Sequence, residues 1–187
     1  ADLHWSHADS DLLRALNASL PADMSVMAVR EADAKFHPRF DAVSRRYRYR
    51  LFCQPLRDPI RERFAWRVWT PVTGDRLAHA AQQFLGTHDF SAFGSPTTPK
   101  GTTVRTVMKA EWTQTSADEW QFEVQADAFL YRMVRRMVFV QAAVAQGKVP
   151  VEAVASSLAE QASVKSRSVL PSGLAPAHGL TLVEVQY

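Results

Sequence analysis

The sequence predicts an α+β fold with a largely antiparallel, mixed sheet flanked by helices. Two runs of alternating residues, 104–112 and 119–126, are separated by one short polar stretch. A period of two on both sides of a turn is typical of an antiparallel hairpin with one buried face. A helical pattern follows at 128–146, and strands and helices do not alternate strictly. In the first run, the apolar face is expected to comprise Val104, Thr106, Met108, Ala110 and Trp112.

The first part of the chain predicts one helix and three strands. Asp9 or Ser10 can cap a helix that runs through Leu20, where Pro21 stops it. The three strands are expected at residues 24–30, 44–53 and 64–69.

Three more helices and a closing strand are predicted in the rest of the chain. Asp75 can cap a helix that continues through Leu85 and ends at Gly86. After the hairpin, the long helix at 128–146 is closed by Gly147. A shorter helix is expected at 150–161, and a final strand at 179–187.

The composition favours a polyanionic partner without identifying one. The net charge is +3, and 17 of the 22 basic residues are arginine, whose planar fork of donors matches a phosphate and stacks on bases. A GC-rich genome would give the same arginine excess without any function. The single cysteine, Cys53, cannot form an internal disulfide or a cysteine metal cluster, and this fits a reducing cytoplasm.

The predicted strand at 44–53 contains the sharpest local pattern, SRRYRYRLF. On a strand, its tyrosines and Leu51 point to one side and its arginines to the other. This pattern fits a half-buried strand with a solvated arginine face. It also fits an aromatic wall for a base, with phosphate contacts behind it, because stacking contributes about 1–3 kcal/mol per base.

The long predicted helix carries an apolar stripe and a basic one. The apolar stripe comprises Phe129, Met133, Met137, Val140 and Val144, at the spacing of a core-facing helix. Arg132, Arg135 and Arg136 lie beside it. Arg132 and Arg136 are four residues apart, where like charges repel by a few tenths of a kcal/mol. An anionic partner would relieve that repulsion, and a solvated face is the alternative.

Other chemically capable residues give weak signals. His37 and His178 have no metal-ligand neighbours at a useful spacing, so the sequence predicts no metal site. Asp89 and Asp127 are better explained as caps of turns or helices than as catalytic acids. From the residues alone, the chain is a basic α+β protein suited to RNA or another polyanion.

Six ordered motifs resemble the TruA-type tRNA pseudouridine synthases. They are NASLPAD (17–23), FHPRFDAVSRRYRYRLF (36–52), GTHDFSAFG (86–94), VRTV (104–107), AFLYRMVRRMV (128–138) and APAHGLTLVEVQY (175–187). The resemblance implies a pseudouridine-synthase-like fold and isomerisation of uridine to pseudouridine at positions 38 to 40 of the tRNA anticodon arm. It also implies no cofactor or metal, a homodimer that binds tRNA, and a cytoplasmic location.

The resemblance assigns roles to particular residues. Tyr47 matches the tyrosine that stacks on the target base, Arg135 matches the basic partner of the catalytic aspartate, and Leu180 matches a leucine of the pocket. The RNA backbone contacts are expected from Arg46, Arg48, Arg105, Arg132 and Arg136.

The family's aspartate has no match in the sequence. The resemblance therefore implies that residues 1–187 are one C-terminal catalytic-type domain lacking the ferredoxin-like half, and that this chain alone is inactive. A non-catalytic RNA-binding module is the alternative, and a dimerisation domain is a third possibility. Two further departures are Arg136, where the family has Asn, and Phe139, where it has Gly.

Overall fold

A computed structural model describes residues 5–159 and 170–187, which divide between two compact units, the first ending at Asp41 and the second beginning at Ala42. The first unit contains helix α1, Asp9–Ser19, close to the predicted bounds. The predicted cap is wrong, because Ala8 occupies the N-cap position and supplies no side-chain hydrogen bond. Asp9 lies in the first turn instead, where its charge favours the helix dipole.

The strand predicted at 24–30 is wrong, because the described residues there have no strand. The Asn17 side chain forms hydrogen bonds with the backbone N–H and carbonyl of Val26, which a neighbouring strand would otherwise bind. Its amide nitrogen donates to the Val26 carbonyl at 2.9 Å, and its oxygen accepts the Val26 N–H at 2.8 Å.

The second unit contains a six-stranded mixed sheet that is mostly antiparallel, as predicted. The strands are β1 (Ser44–Cys53), β2 (Trp66–Val68), β3 (Gly86–Asp89), β4 (Val104–Gln114), β5 (Glu119–Ala126) and β6 (Leu180–Gln186). Their order is β2-β1-β5-β4-β3, and β6 also pairs with β1. Strand β1 is antiparallel to β5 and β6 and parallel to β2. It is therefore the most extensively paired strand, and its side chains lie centrally in the sheet.

The described part of this unit contains three α-helices: α2 (Gly74–Gln82), α3 (Met133–Ala145) and α4 (Glu152–Leu158). Helix α2 has Thr73 rather than Asp75 at its N-cap, with no side-chain cap bond, so that cap prediction is wrong. Part of the helix predicted at 150–161 lies outside the described residues. Among the described residues, no helix combines the length and apolar character needed to cross a bilayer.

Helix α3 starts five residues later than predicted. The Asp127 carboxylate accepts the N–H groups of Thr106 and Ala128, which holds this stretch against β4. Tyr131 then forms an isolated β-bridge with Ser95, and Arg132 has a left-handed backbone with φ 65°. Because these conformations are not helical, Arg132 precedes the helix, and the predicted helical repulsion between Arg132 and Arg136 does not apply.

The apolar stripe of α3 packs on the sheet as predicted, with Met133, Met137, Val140 and Val144 all buried. Gln141 interrupts the stripe and is fully buried. Its oxygen accepts the indole N–H of Trp112 at 2.7 Å, and its nitrogen donates to the Met137 carbonyl. The buried amide is thus hydrogen-bonded at both ends, which removes most of its desolvation cost.

Strand β4 contains a register shift between Val107 and Lys109. On the two sides of this shift, Val107 and Ala110 are buried, whereas the Met108 side chain is 53% exposed. The prediction that Val104 and Met108 face the core is therefore wrong, since Val104 is also 41% exposed. An extra residue in one strand reverses the alternation of faces beyond it.

Candidate active site and nucleic-acid surface

Strand β1 has the alternation expected from its sequence. Tyr49 and Leu51 are fully buried, and Tyr47 is half-buried and packs on the same core. The ring of Tyr47 meets that of Phe129 edge to face, with centroids 5.0 Å apart. This contact fixes the ring on the face of the sheet that α3 covers.

The opposite face of β1 is an ion-pair ladder, which we define as Arg46, Arg48 and Arg50 with their glutamate partners. The shortest nitrogen–oxygen distances are 2.7 Å for Arg46–Glu184, 2.8 Å for Arg48–Glu123 and 2.6 Å for Arg50–Glu119. A hydrogen bond from Arg48 is the main cause of a lowered pKa at Glu123, and Lys109 also contributes. The arginine face is therefore already partnered by carboxylates within the protein.

The ladder differs from both interpretations of the strand, since its arginines are neither simply solvated nor free for phosphate. A sequence signal was present, because Glu119 and Glu123 alternate along β5 and lie opposite Phe52 and Arg48 in the antiparallel register. Opposite charges directly across two strands attract each other.

Residues 170–176 form a segment that α3 and β1 hold in place, and we call it the strap. The Nε of Arg135 donates to the Ala175 carbonyl at 2.7 Å, and the Ala175 N–H donates to the Arg135 carbonyl at 3.2 Å. The Tyr49 hydroxyl donates to the Pro176 carbonyl at 2.8 Å. Burial raises the pKa of Tyr49 well above its ordinary value, and the charge of Arg135 opposes this increase.

The strap leads through the turn Ala177–Gly179 into Leu180, the first residue of β6. Leu180 lies opposite Tyr49 in the register of β1 and β6. Tyr47 and Leu180 both pack against the core to which α3 contributes, and Arg135 reaches the strap beside Tyr49. The three residues assigned by resemblance thus lie on one side of the sheet. No local sequence signal marks Tyr49 as an anchor of the strap, because its partner, Pro176, is distant in the chain.

The two residues that depart from the family pattern, Arg136 and Phe139, both contact the strap. Arg136 donates to the carbonyls of Pro171 and Gly173, the latter at 3.0 Å. The Phe139 ring fills the space where a side chain at Gly173 would lie, and it stacks on Trp66 at 6.1 Å. Gly173 also has φ +140°, which favours glycine.

A cleft of about 340 Å³ opens where the turn at 91–95 meets the start of α3. Arg132 and Arg136 both line it. The Arg132 guanidinium carbon lies 4.7 Å from the centroid of the Tyr131 ring. Arg105 is not among the lining residues, and it donates to the carbonyls of Thr102 and Val104. The five arginines predicted to bind RNA therefore occupy at least two different surfaces.

The weaker candidates have structural contacts. Asp89 accepts the Ser91 N–H at 2.9 Å, and Asp127 accepts two N–H groups, as expected for residues that cap turns. The His37 ring accepts the N–H groups of Arg39 and Phe40. Across residues 5–159 and 170–187, no three His, Cys, Asp or Glu side chains are grouped so that they could hold a metal ion.

Comparisons with known proteins agree with the motifs. A family model described as tRNA pseudouridine synthase matches residues 80–187. The tRNA pseudouridine synthase A of Limosilactobacillus fermentum is 37% identical over the whole chain, which covers 70% of that relative. Those of Nitratidesulfovibrio vulgaris and Staphylococcus aureus are 38% and 36% identical, over 100% and 97% of the chain and 75% and 69% of the relatives. The chain therefore belongs to the TruA family of tRNA pseudouridine synthases.

Proposed function

We propose that the site around Tyr47, Arg135 and Leu180 serves the isomerisation of uridine to pseudouridine at positions 38 to 40 of the tRNA anticodon arm. The observation that carries this proposal is the location of all three residues on one side of the sheet: Tyr47 and Leu180 pack against the same core, and Arg135 binds the strap that leads into Leu180. No cofactor is needed, because the uracil leaves the ribose through N1 and rejoins it through C5.

Tyr47 is the proposed stacking platform for the uracil. A uridine must leave the stack of the anticodon arm to be reached, which costs a few kcal/mol, and stacking on an aromatic ring returns about 1–3 kcal/mol. The edge-to-face contact with Phe129 holds the Tyr47 ring in one orientation before the base arrives. A ring ordered in advance loses less entropy on binding.

Arg135 is the proposed partner of the family's catalytic aspartate. Its Nε is committed to the Ala175 carbonyl, and in the described residues no carboxylate lies within ion-pair distance of its guanidinium. An arginine next to a carboxylate favours the ionised form and lowers the carboxyl pKa. Arg135 would therefore hold the aspartate charged and oriented beside the base.

The 187 residues contain no counterpart of that aspartate, so we propose that this chain alone does not form pseudouridine. The same absence supports the alternative of a non-catalytic RNA-binding module. Partnership with tRNA, assembly as a homodimer and a cytoplasmic location come from the family resemblance and remain proposals.

The test is pseudouridine formation at positions 38 to 40, measured after incubation of unmodified tRNA with the chain and with a form that includes the family's aspartate block. We expect background levels from the chain and turnover from the longer form. Turnover by the chain alone would contradict the proposed need for the aspartate. Inactivity of the longer form, with tRNA binding intact, would favour the non-catalytic module.

RNA contacts are proposed for Arg46, Arg48, Arg105, Arg132 and Arg136, and we expect those without a carboxylate partner in the described residues to contribute most. Arg46 and Arg48 would have to exchange a glutamate for a phosphate, which offsets much of the gain. Arg132 and Arg136 line an open cleft without a carboxylate partner in the described residues. We therefore expect single changes of Arg132 or Arg136 to weaken tRNA binding more than changes of Arg46 or Arg48.

A further inference from the structure

The cleft between the turn at 91–95 and the start of α3 has fixed walls. The Tyr131 N–H donates to the Ser95 carbonyl at 2.9 Å, which joins the two segments. A Cβ atom at Gly94 would lie 2.7 Å from the Cβ of Leu130 and 2.8 Å from the Tyr131 carbonyl oxygen, so the segments approach as closely as glycine allows. The shape of the cleft therefore does not depend on a flexible loop.

The cleft holds positive charge that the described part of the protein does not neutralise. Arg132 and Arg136 have no carboxylate within 4.0 Å among the residues described. Arg136 is partly desolvated, and burial lowers its pKa. A half-buried cation without a counter-charge is costly, and an anionic ligand removes that cost.

Two other observations concern residues that line the same cleft. The Ser91 hydroxyl oxygen is buried and has no hydrogen-bond partner, although Ser91 lines the cleft. Arg132 has φ 65°, which residues other than glycine rarely adopt and which often marks a functional position. Arg132 is also the N-cap of the 13-residue helix α3, where backbone N–H groups favour an anion. An unsatisfied donor, two cations and a helix N-terminus all suit a tetrahedral oxyanion.

We infer that this cleft binds one backbone phosphate of RNA, through Arg132, Arg136 and the Ser91 hydroxyl. The inference rests on the proposed function for its source of phosphate, and it adds a discrete subsite outside the uracil pocket. Arg136 also donates to the strap, so a phosphate bound here would share this side chain with the element that leads to Leu180.

The test measures binding of an anticodon-arm RNA by the chain over a range of KCl concentrations. In Arg132→Gln, we expect affinity to fall about tenfold, as for the loss of one charged hydrogen bond. The slope of log K against log salt should become shallower by about 0.7–0.9, the value for one phosphate. Ser91→Ala should weaken binding without changing the slope. Arg63→Gln is the matched control, since Arg63 is exposed and also lies over an aromatic ring, that of Phe64.

A second arm separates direct contact from a change in folding. Neutral methylphosphonate linkages are placed one at a time in the RNA, and the position that weakens the unsubstituted protein most is identified. That substitution should add no further loss in Arg132→Gln, because the contact is already absent. Additive losses at every position, or an unchanged salt slope in Arg132→Gln, would overturn the subsite while leaving the proposed function standing. Failure of the unsubstituted chain to bind RNA with any salt dependence would overturn both.

Discussion

Tyr47 and Tyr49 lie two residues apart on the same face of β1, yet we expect the loss of their hydroxyl groups to have different effects. Loss of the Tyr49 hydroxyl should lower stability, and loss of the Tyr47 hydroxyl should lower turnover. The Tyr49 hydroxyl is bonded to the Pro176 carbonyl at 2.8 Å, and the residue is fully buried. Tyr47 is half-buried and packs through its ring. Replacing each by phenylalanine removes one oxygen atom and keeps the ring, so the two variants form a matched pair.

We expect Tyr49→Phe to lower the free energy of unfolding by about 1–3 kcal/mol. Loss of a neutral hydrogen bond costs about 0.5–1.5 kcal/mol, and a carbonyl left buried and unsatisfied raises the cost towards 3 kcal/mol. For a chain of 187 residues, each kcal/mol corresponds to about 2–4 °C in Tm. Tyr47→Phe should change the unfolding free energy by less than about 0.5 kcal/mol.

The assay is urea unfolding followed by tryptophan fluorescence, with m-values compared to confirm that the unfolding transition is the same in both variants. In a form that includes the family's aspartate, Tyr47→Phe should retain tRNA binding but lose turnover by about 10²–10⁴-fold, the usual scale for an acid–base group. A Tyr49→Phe protein as stable as the unsubstituted one would refute the anchoring of the strap. Full turnover in Tyr47→Phe would refute a catalytic role for its hydroxyl.

Two further outcomes are expected. Arg135→Ala should lower the unfolding free energy by about 1.5–3 kcal/mol through loss of the bond to Ala175, and abolish turnover in the aspartate-containing form. The salt slope of tRNA binding should change little, and a slope altered by one full contact would instead make Arg135 a phosphate ligand. Because the pKa of Tyr49 is raised in the folded protein, its contribution to stability is complete below pH 10.0 and decreases as pH rises above that value. Alkaline unfolding should therefore be less steep in Tyr49→Phe, and identical pH profiles would contradict a buried neutral phenol.

Sequence patterns predicted the elements whose signal is local. Strand β1 was predicted at its observed bounds, because alternating tyrosine and arginine residues satisfy a two-residue period over its length. The hairpin of β4 and β5 was found for the same reason, but the register shift at Val107 was missed. A single added residue leaves the composition unchanged, and only the pairing with β5 reveals it.

The parts that the sequence did not predict depend on contacts between distant segments. The late start of α3 follows from the bonds of Asp127 to β4 and from the bridge between Tyr131 and Ser95. The strap is held by Tyr49, Arg135 and Arg136, and each bond is made to a backbone carbonyl, which carries no residue-specific signal. The ladder was the exception, since complementary charges on β1 and β5 were visible in the sequence.

Because Phe139 packs against Gly173, the residue at one of these distant positions restricts which residue the other can be. Any side chain at position 173 would occupy the space of the ring, while a glycine at 139 would leave that space empty. Because φ +140° also disfavours a side chain at 173, the dependence runs one way. Close homologues with a ring at position 139 should have glycine at position 173, whereas a glycine at 139 does not by itself allow a side chain at 173.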